Sequence, residues 1–183
     1  VSQLSNSNAN KQGSVLSFLI TVVLTIFSLV YFSLTAYTKD ALWFYPRFDA
    51  QPVRGLIRCY GEEIVLQRDS EHLYNIARLV NEQISGDKRW DELNLSDQVY
   101  MDYKTSDRVM VLELSYEEPQ RIHSPSLFFS GFDVLIVPLD GSFANTNILF
   151  NLVRGNPAGG SFHVTTFASV LNYLEDNDLC RLQ

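Results

Sequence analysis

The sequence predicts an α+β fold: one N-terminal transmembrane helix followed by a mainly antiparallel sheet with two helices packed on it. Three observations predict it. An uncharged apolar stretch lies between Lys11 and Lys39, short β-prone runs separated by turn residues follow from Pro52 onward, and only two later segments repeat apolar residues at helical spacing.

From Val15 to Tyr37 nearly every residue is Val, Leu, Ile, Phe or Tyr, relieved by Ser, Thr and one Ala. A bilayer core takes about 20 such residues at ~1.5 Å rise each, so residues 13–38 read as one span with the lipid bilayer as partner. A cleaved secretory signal needs a basic n-region, an apolar run of about 7 to 15 residues and a small-x-small site. Here Lys11 is the one cation among the first twelve residues, the run is longer, and cleavage after Ala36 would put Leu34 where a small residue belongs. A helix buried in a globular core keeps a charged face, and this stretch has none.

Residues 1–12, rich in Ser and Asn, are too short and polar for a core and are expected to be disordered. A signal crossing the bilayer is then expected to pass through a partner protein. Beyond the span, Tyr37, Trp43, Phe44 and Tyr45 read as an interfacial aromatic belt, and Pro46 stops the helix, making residues 39–51 a juxtamembrane collar. The flanking cations Lys39, Arg47 and Arg54 outnumber Lys11 and favour a cytosolic domain. A short polar tail, one span and a large C-terminal domain favour an extracytoplasmic one, which is the expectation adopted.

Residues 52–183 are enough for one soluble domain with a real core. All 21 acidic residues lie from Asp40 onward against 12 of the 14 basic ones, a net of −9, which leaves no electrostatic footprint for nucleic acid. Cys59 and Cys180 are too far apart for a zinc knuckle or a C-x-x-C pair. They are either one disulfide, if the domain sits in an oxidising compartment, or one buried and one exposed thiol.

Pro52–Tyr60 and Ile64–Gln67, separated by Gly61, read as a β-hairpin. Leu73, Ile76, Ala77, Val80 and Ile84 then mark one face of a helix capped by Asp69 or Ser70 and ended by Gly86. After a polar segment holding Trp90, the alternation Val99, Met101, Tyr103 and a turn over 105–108 leading into Val109–Tyr116 predict a second hairpin. Asp133–Leu139 is the pattern of a buried strand, and Ile148–Val153 and Phe162–Thr165 are two more strands joined by a flexible loop over 154–160. Phe167, Val170, Leu171 and Leu174 mark a last short helix.

Chemistry-bearing motifs are sparse. His72, His123 and His163 have no metal-ligand spacing, and no cofactor motif occurs, so neither a metal nor a cofactor is expected. Ser161, His163 and Asp140 make a hydrolase triad on paper, without the G-x-S-x-G elbow. Arg154, Asn156, Gly159, Gly160 and His163 form a candidate ligand loop, although the spacing matches no phosphate-binding motif and a plain connection between strands fits as well. Phe128, Phe129 and Phe132 are a candidate contact patch unless they fill the core. In the span, Ser14, Thr21, Ser28 and Thr35 recur every seven residues, with Ser17 and Thr25 on the same side. They form a candidate seam for a partner helix, or polarity tolerated in lipid by bonding to the preceding turn.

Taken together, these features point to a non-enzymatic, single-pass membrane-anchored binding or accessory protein of a membrane or envelope assembly, with a membrane protein or a second copy as partner. The alternatives are a tethered sensor or ligand-binding domain that reports through a partner and, third, a hydrolase.

Overall fold

The structure, a computed structural model, describes residues 7–124 and 129–182. It divides into two compact units on either side of the Trp43–Phe44 bond.

The first unit is dominated by α1 (Ser7–Thr38), within which Val15–Thr38 is a 24-residue stretch long and apolar enough to cross a membrane. Its large apolar side chains from Val15 to Val30 are exposed on all sides, Val22 least at 37%. Residues 7–12, expected to be disordered, are helical. Adding residues to an existing helix gains one hydrogen bond per residue fixed, without the cost of a new nucleus.

The second unit is an α+β domain around an eight-stranded antiparallel sheet. Its strands are β1 (Arg54–Cys59), β2 (Glu62–Gln67), β3 (Lys88–Asp91), β4 (Met110–Ile122), β5 (Phe129–Asp140), β6 (Ile148–Val153), β7 (Asn156–Pro157) and β8 (Ser161–Val164). Seven of them run in the order β2-β1-β4-β5-β6-β8-β3, and β7 pairs with β6. The first hairpin forms with Gly61 at φ +92, the left-handed turn conformation that glycine adopts without strain.

Helices α2 (Glu71–Ser85) and α4 (Ala168–Asp176) cover one face of the sheet. Their Leu73, Ile76, Val80, Ile84, Val170 and Leu174 join Ile57, Leu112, Leu114, Leu135, Leu149 and Phe162 in the main core. A disulfide between Cys59 and Cys180, 121 residues apart with Cα atoms 5.8 Å from each other, ties the end of β1 to the chain beyond α4.

The other face carries a third helix that the sequence pattern concealed. The alternating run from Val99 to Lys104, read above as a strand, lies within α3 (Asp97–Thr105). Ser96 caps it, accepting a hydrogen bond from the Val99 amide, while Met101, which an alternating strand would bury, is 53% exposed. The pair that matters is Tyr100 and Tyr103 at i, i+3, buried with Val111, Ile136, Ile148 and Phe150. Both faces of the sheet are therefore covered, and its central strands read as nearly continuous apolar runs for that reason.

β4 and β5 extend past the expected Val109–Tyr116 and Asp133–Leu139. The register shifts between Ser115 and Gln120, so Pro119 falls in an irregular stretch where the ladder does not need its missing donor. The polar segment around Trp90 is edge strand β3, paired with β8.

Residues 46–53 form an extended strap fastened along α2. Phe48 N donates to Ser85 Oγ (2.8 Å), Ser85 Oγ donates to Phe48 O (3.1 Å), and Asn81 Nδ2 donates to Ala50 O (2.9 Å). Lys88 Nζ donates to both Pro46 O and Ile84 O. Its partial burial pushes the ammonium below its ordinary value of 10.5, with Asp87 opposing the shift.

Candidate functional site

Two adjoining clefts, each of about 570 to 580 Å³, run between the strap and α2 and share Gln51 and Tyr74. The exposed Tyr74 ring stands between them. Three guanidinium groups line them, and each has a carboxylate partner: Arg47 with Asp49, Arg68 with Glu117, and Arg78 with Glu82. Such a groove offers a phenol ring, paired charges and one further carboxylate, Glu118, which suits a neutral or zwitterionic ligand better than a phosphate. The sequence reading missed this groove. The available signal was Asn81 and Ser85, polar residues at helical spacing beside the apolar face of α2, because such residues imply that something polar lies over them.

The paper triad is not assembled. Asp140 accepts a hydrogen bond from Tyr60 Oη at 2.6 Å and from the Gly141 amide. His163 instead meets Asp91, with Nε2 3.0 Å from Asp91 Oδ2 and Nδ1 3.0 Å from Thr146 O. The two ring nitrogens are directed at Asp91 and Thr146, and neither is hydrogen-bonded to Ser161 Oγ. Ser161 lies opposite Asp91 in the β3–β8 ladder, fully buried, its Oγ without a hydrogen-bond partner among the described residues. The Asp91 carboxyl is held below its ordinary value chiefly by the hydrogen bond to His163, then by the Leu93 amide.

The candidate ligand loop is largely built into the sheet. Asn156 pairs with Val153 and Pro157 with Leu152, which makes a two-residue strand rather than an open cradle. The Arg154 amide donates to Asp133, the Gly160 amide donates to Asn94 Oδ1 at 2.5 Å, and a β-carbon at Gly159 would stand 3.4 Å from that same oxygen. These amides face protein acceptors, so the glycines serve packing rather than an anion.

Of the contact patch, Phe128 lies outside the described residues and the backbone of Phe129 opens β5 opposite Ile122. Phe132 is fully buried against Phe48 and Tyr116, which corrects its assignment as a contact residue. Its burial follows from the strap, whose Phe48 ring completes the cluster. Burial also raises the phenol pKa values of Tyr116 and Tyr103, and that of Tyr100 is pushed up to about 12 by burial, with Glu113 adding to the shift.

Comparison with protein-family models, with curated proteins and with solved structures finds no match to this chain. Its own geometry therefore carries the functional argument.

Along α1 two of the seam hydroxyls turn inward. Thr21 Oγ1 donates to Ser17 O (2.9 Å) and Thr25 Oγ1 to Thr21 O (2.8 Å), so these two threonines are satisfied by the preceding turn. Ser28 is exposed, Thr35 is half-buried, and the backbone at Ser14 continues the helix. A back-bonded threonine remains a small side chain, and close approach of a second helix requires that property first.

Proposed function

We propose that this chain is a single-pass membrane-anchored accessory or binding protein of a membrane or envelope assembly, with residues 52–183 outside the cytosol. The observation that carries the proposal is the exposure of α1. The large apolar side chains from Val15 to Val30 have no protein packed on them, within a 24-residue apolar helix that finds its favourable solvent in a bilayer. The Cys59–Cys180 disulfide supports the compartment, because such bonds persist in oxidising surroundings and are rare in the cytosol. The seam on α1 supports a helix partner, either another membrane protein or a second copy. The clefts beside α2 favour a second reading, a tethered sensor that binds a small neutral or zwitterionic ligand there.

Membrane washing and co-purification test the first reading. The full chain should stay with membranes through high salt and alkaline carbonate, and Val22→Arg with Val23→Arg should weaken insertion by several kcal/mol on insertion scales, about 2.5 to 3.5 for each central charge. Thr21→Leu with Ser28→Leu keeps the span apolar but forces a partner helix away, whereas Ser33→Leu, on another side, should change nothing. Release by carbonate alone refutes the anchor. Unchanged partners and size in mild detergent for both seam variants refute the helix contact.

A further inference from the structure

The end of the span is built in a way that the hydropathy pattern does not convey. α1 stops at Thr38, Lys39 takes the left-handed conformation at φ +52, and the chain turns back on the helix. Tyr31, seven residues before the helix end, donates from Oη to Ala41 O at 3.2 Å. A tyrosine reaches roughly 6.5 Å from its Cα, and seven residues of helix rise about 10 Å, so residue 41 lies alongside the last two turns rather than beyond them.

Several polar groups of the reversal are bonded within it. Thr38 Oγ1 donates to Leu34 O (2.8 Å) and accepts from the Asp40 amide (3.3 Å), while Asp40 Oδ1 accepts from the Leu42 amide (3.0 Å). Thr38 and Asp40 are 1% and 2% exposed, whereas Tyr37 at 72% and Leu42 at 48% turn outward, together with Lys39 and Ala41. Backbone polarity bonded internally beneath an apolar and aromatic exterior is what a segment needs where water is scarce. Helix length points the same way: from Val15 to Thr38 the apolar stretch rises about 35 Å, roughly 5 Å more than a hydrocarbon core, which leaves its end at headgroup depth.

We infer that Tyr31, Tyr37 and the reversal Lys39–Trp43 form a re-entrant interfacial anchor lying in the boundary between lipid headgroups and acyl chains. The hydrocarbon is then crossed by the helix, and its C-terminal end stands at headgroup depth beside the reversal. The occupant of this surface is lipid, because the reversal is continuous with the span and its outward groups are the amphipathic and apolar types that settle at that depth. This inference rests on the membrane reading above.

The test uses the full chain, disulfide intact, in phosphatidylcholine vesicles, with single labels that report lipid depth at Val23→Cys, Leu42→Cys and Glu117→Cys. Lipids spin-labelled near the headgroup should quench the Leu42→Cys label most, and those spin-labelled deep in the acyl chain the Val23→Cys label. Aqueous iodide should reach only the Glu117→Cys label. Adding Tyr31→Phe, which deletes the donor to Ala41, should raise the open-to-closed ratio of the reversal about fivefold, the effect of one net hydrogen bond, and expose the Leu42→Cys label to iodide. If iodide reaches residue 42 as readily as residue 117 while residue 23 stays deep, the re-entrant anchor is wrong and the span stands. Iodide access at residue 23 overturns the membrane reading itself. Unchanged access at residue 42 in Tyr31→Phe overturns the role given to the Tyr31–Ala41 contact.

Discussion

Trp90 lies so close over Gly160 that a β-carbon at residue 160 would stand 1.9 Å from its Cη2 atom. The ring also meets Phe162 edge-on at 5.5 Å, so the glycine is the gap that lets edge strand β3 close on β8. Gly160 further adopts φ +81, where any β-carbon is strained. Gly160→Ala should therefore lower stability by roughly 2 to 5 kcal/mol, combining overpacking with backbone strain. Gly155→Ala, at φ +79 but with nothing within 4 Å of its β-carbon, should cost only about 1 to 2 kcal/mol for the backbone. Urea titration of both variants in detergent separates the two effects, and equal losses would contradict the role given to Trp90.

Removing the disulfide should destabilise the domain without changing its fold. A 121-residue separation corresponds to about 4 to 5 kcal/mol in the chain-entropy model. Cys59→Ser with Cys180→Ser should shift the denaturation midpoint down accordingly. In the untreated chain, intact mass after alkylation without reductant should show no added label, and two labels would contradict the bond.

The Asp91–His163 pair predicts a dependence on acid. The folded carboxyl titrates below its ordinary value of 3.8, so the unfolded chain binds that proton more readily than the folded one. Its contribution is complete above the unfolded value and disappears as the pH falls through the lower, folded value. Asp91→Asn should thus be less stable than the parent near neutrality and approach it as the pH falls below the ordinary carboxyl value, flattening the acid limb of stability against pH. A constant difference across that range would contradict the assignment.

Phe132→Ala should behave as a core deletion. The ring is fully buried, with Phe48 at 6.2 Å and Tyr116 at 5.8 Å between centroids, and truncating such a ring typically costs about 3 to 5 kcal/mol. Calorimetry of the full chain in detergent should show a lower melting temperature. A variant of unchanged stability that loses a binding partner would restore the contact-patch assignment.

The span, the α+β class, the first hairpin, α2 and α4 were legible because each is a periodic pattern carried by neighbouring residues. The Asp97–Thr105 segment was not. Alternation over Val99, Met101 and Tyr103 and the i, i+3 pair Tyr100 and Tyr103 coexist in the same few residues, and only the cap at Ser96 and the core beneath the two tyrosines decide between them. The candidate site was less legible still. Glycines in the 154–160 loop look alike whether they cradle a ligand or clear space for Trp90. Likewise, Phe132 looks the same in sequence as an exposed contact or as a partner of Phe48.

What the sequence determined by itself is therefore the apolar or polar character of each part. A 24-residue apolar helix suited to lipid and an acidic α+β domain follow from local composition and spacing, because solvent preference is a sum over neighbouring residues. What only the tertiary structure decided is which groups meet across the chain: Cys59 with Cys180, His163 with Asp91 rather than Asp140, and the strap with Asn81 and Ser85. These pairings depend on strand order and register, which are set by packing the whole sheet between two layers of helix, and no local window of residues contains that information.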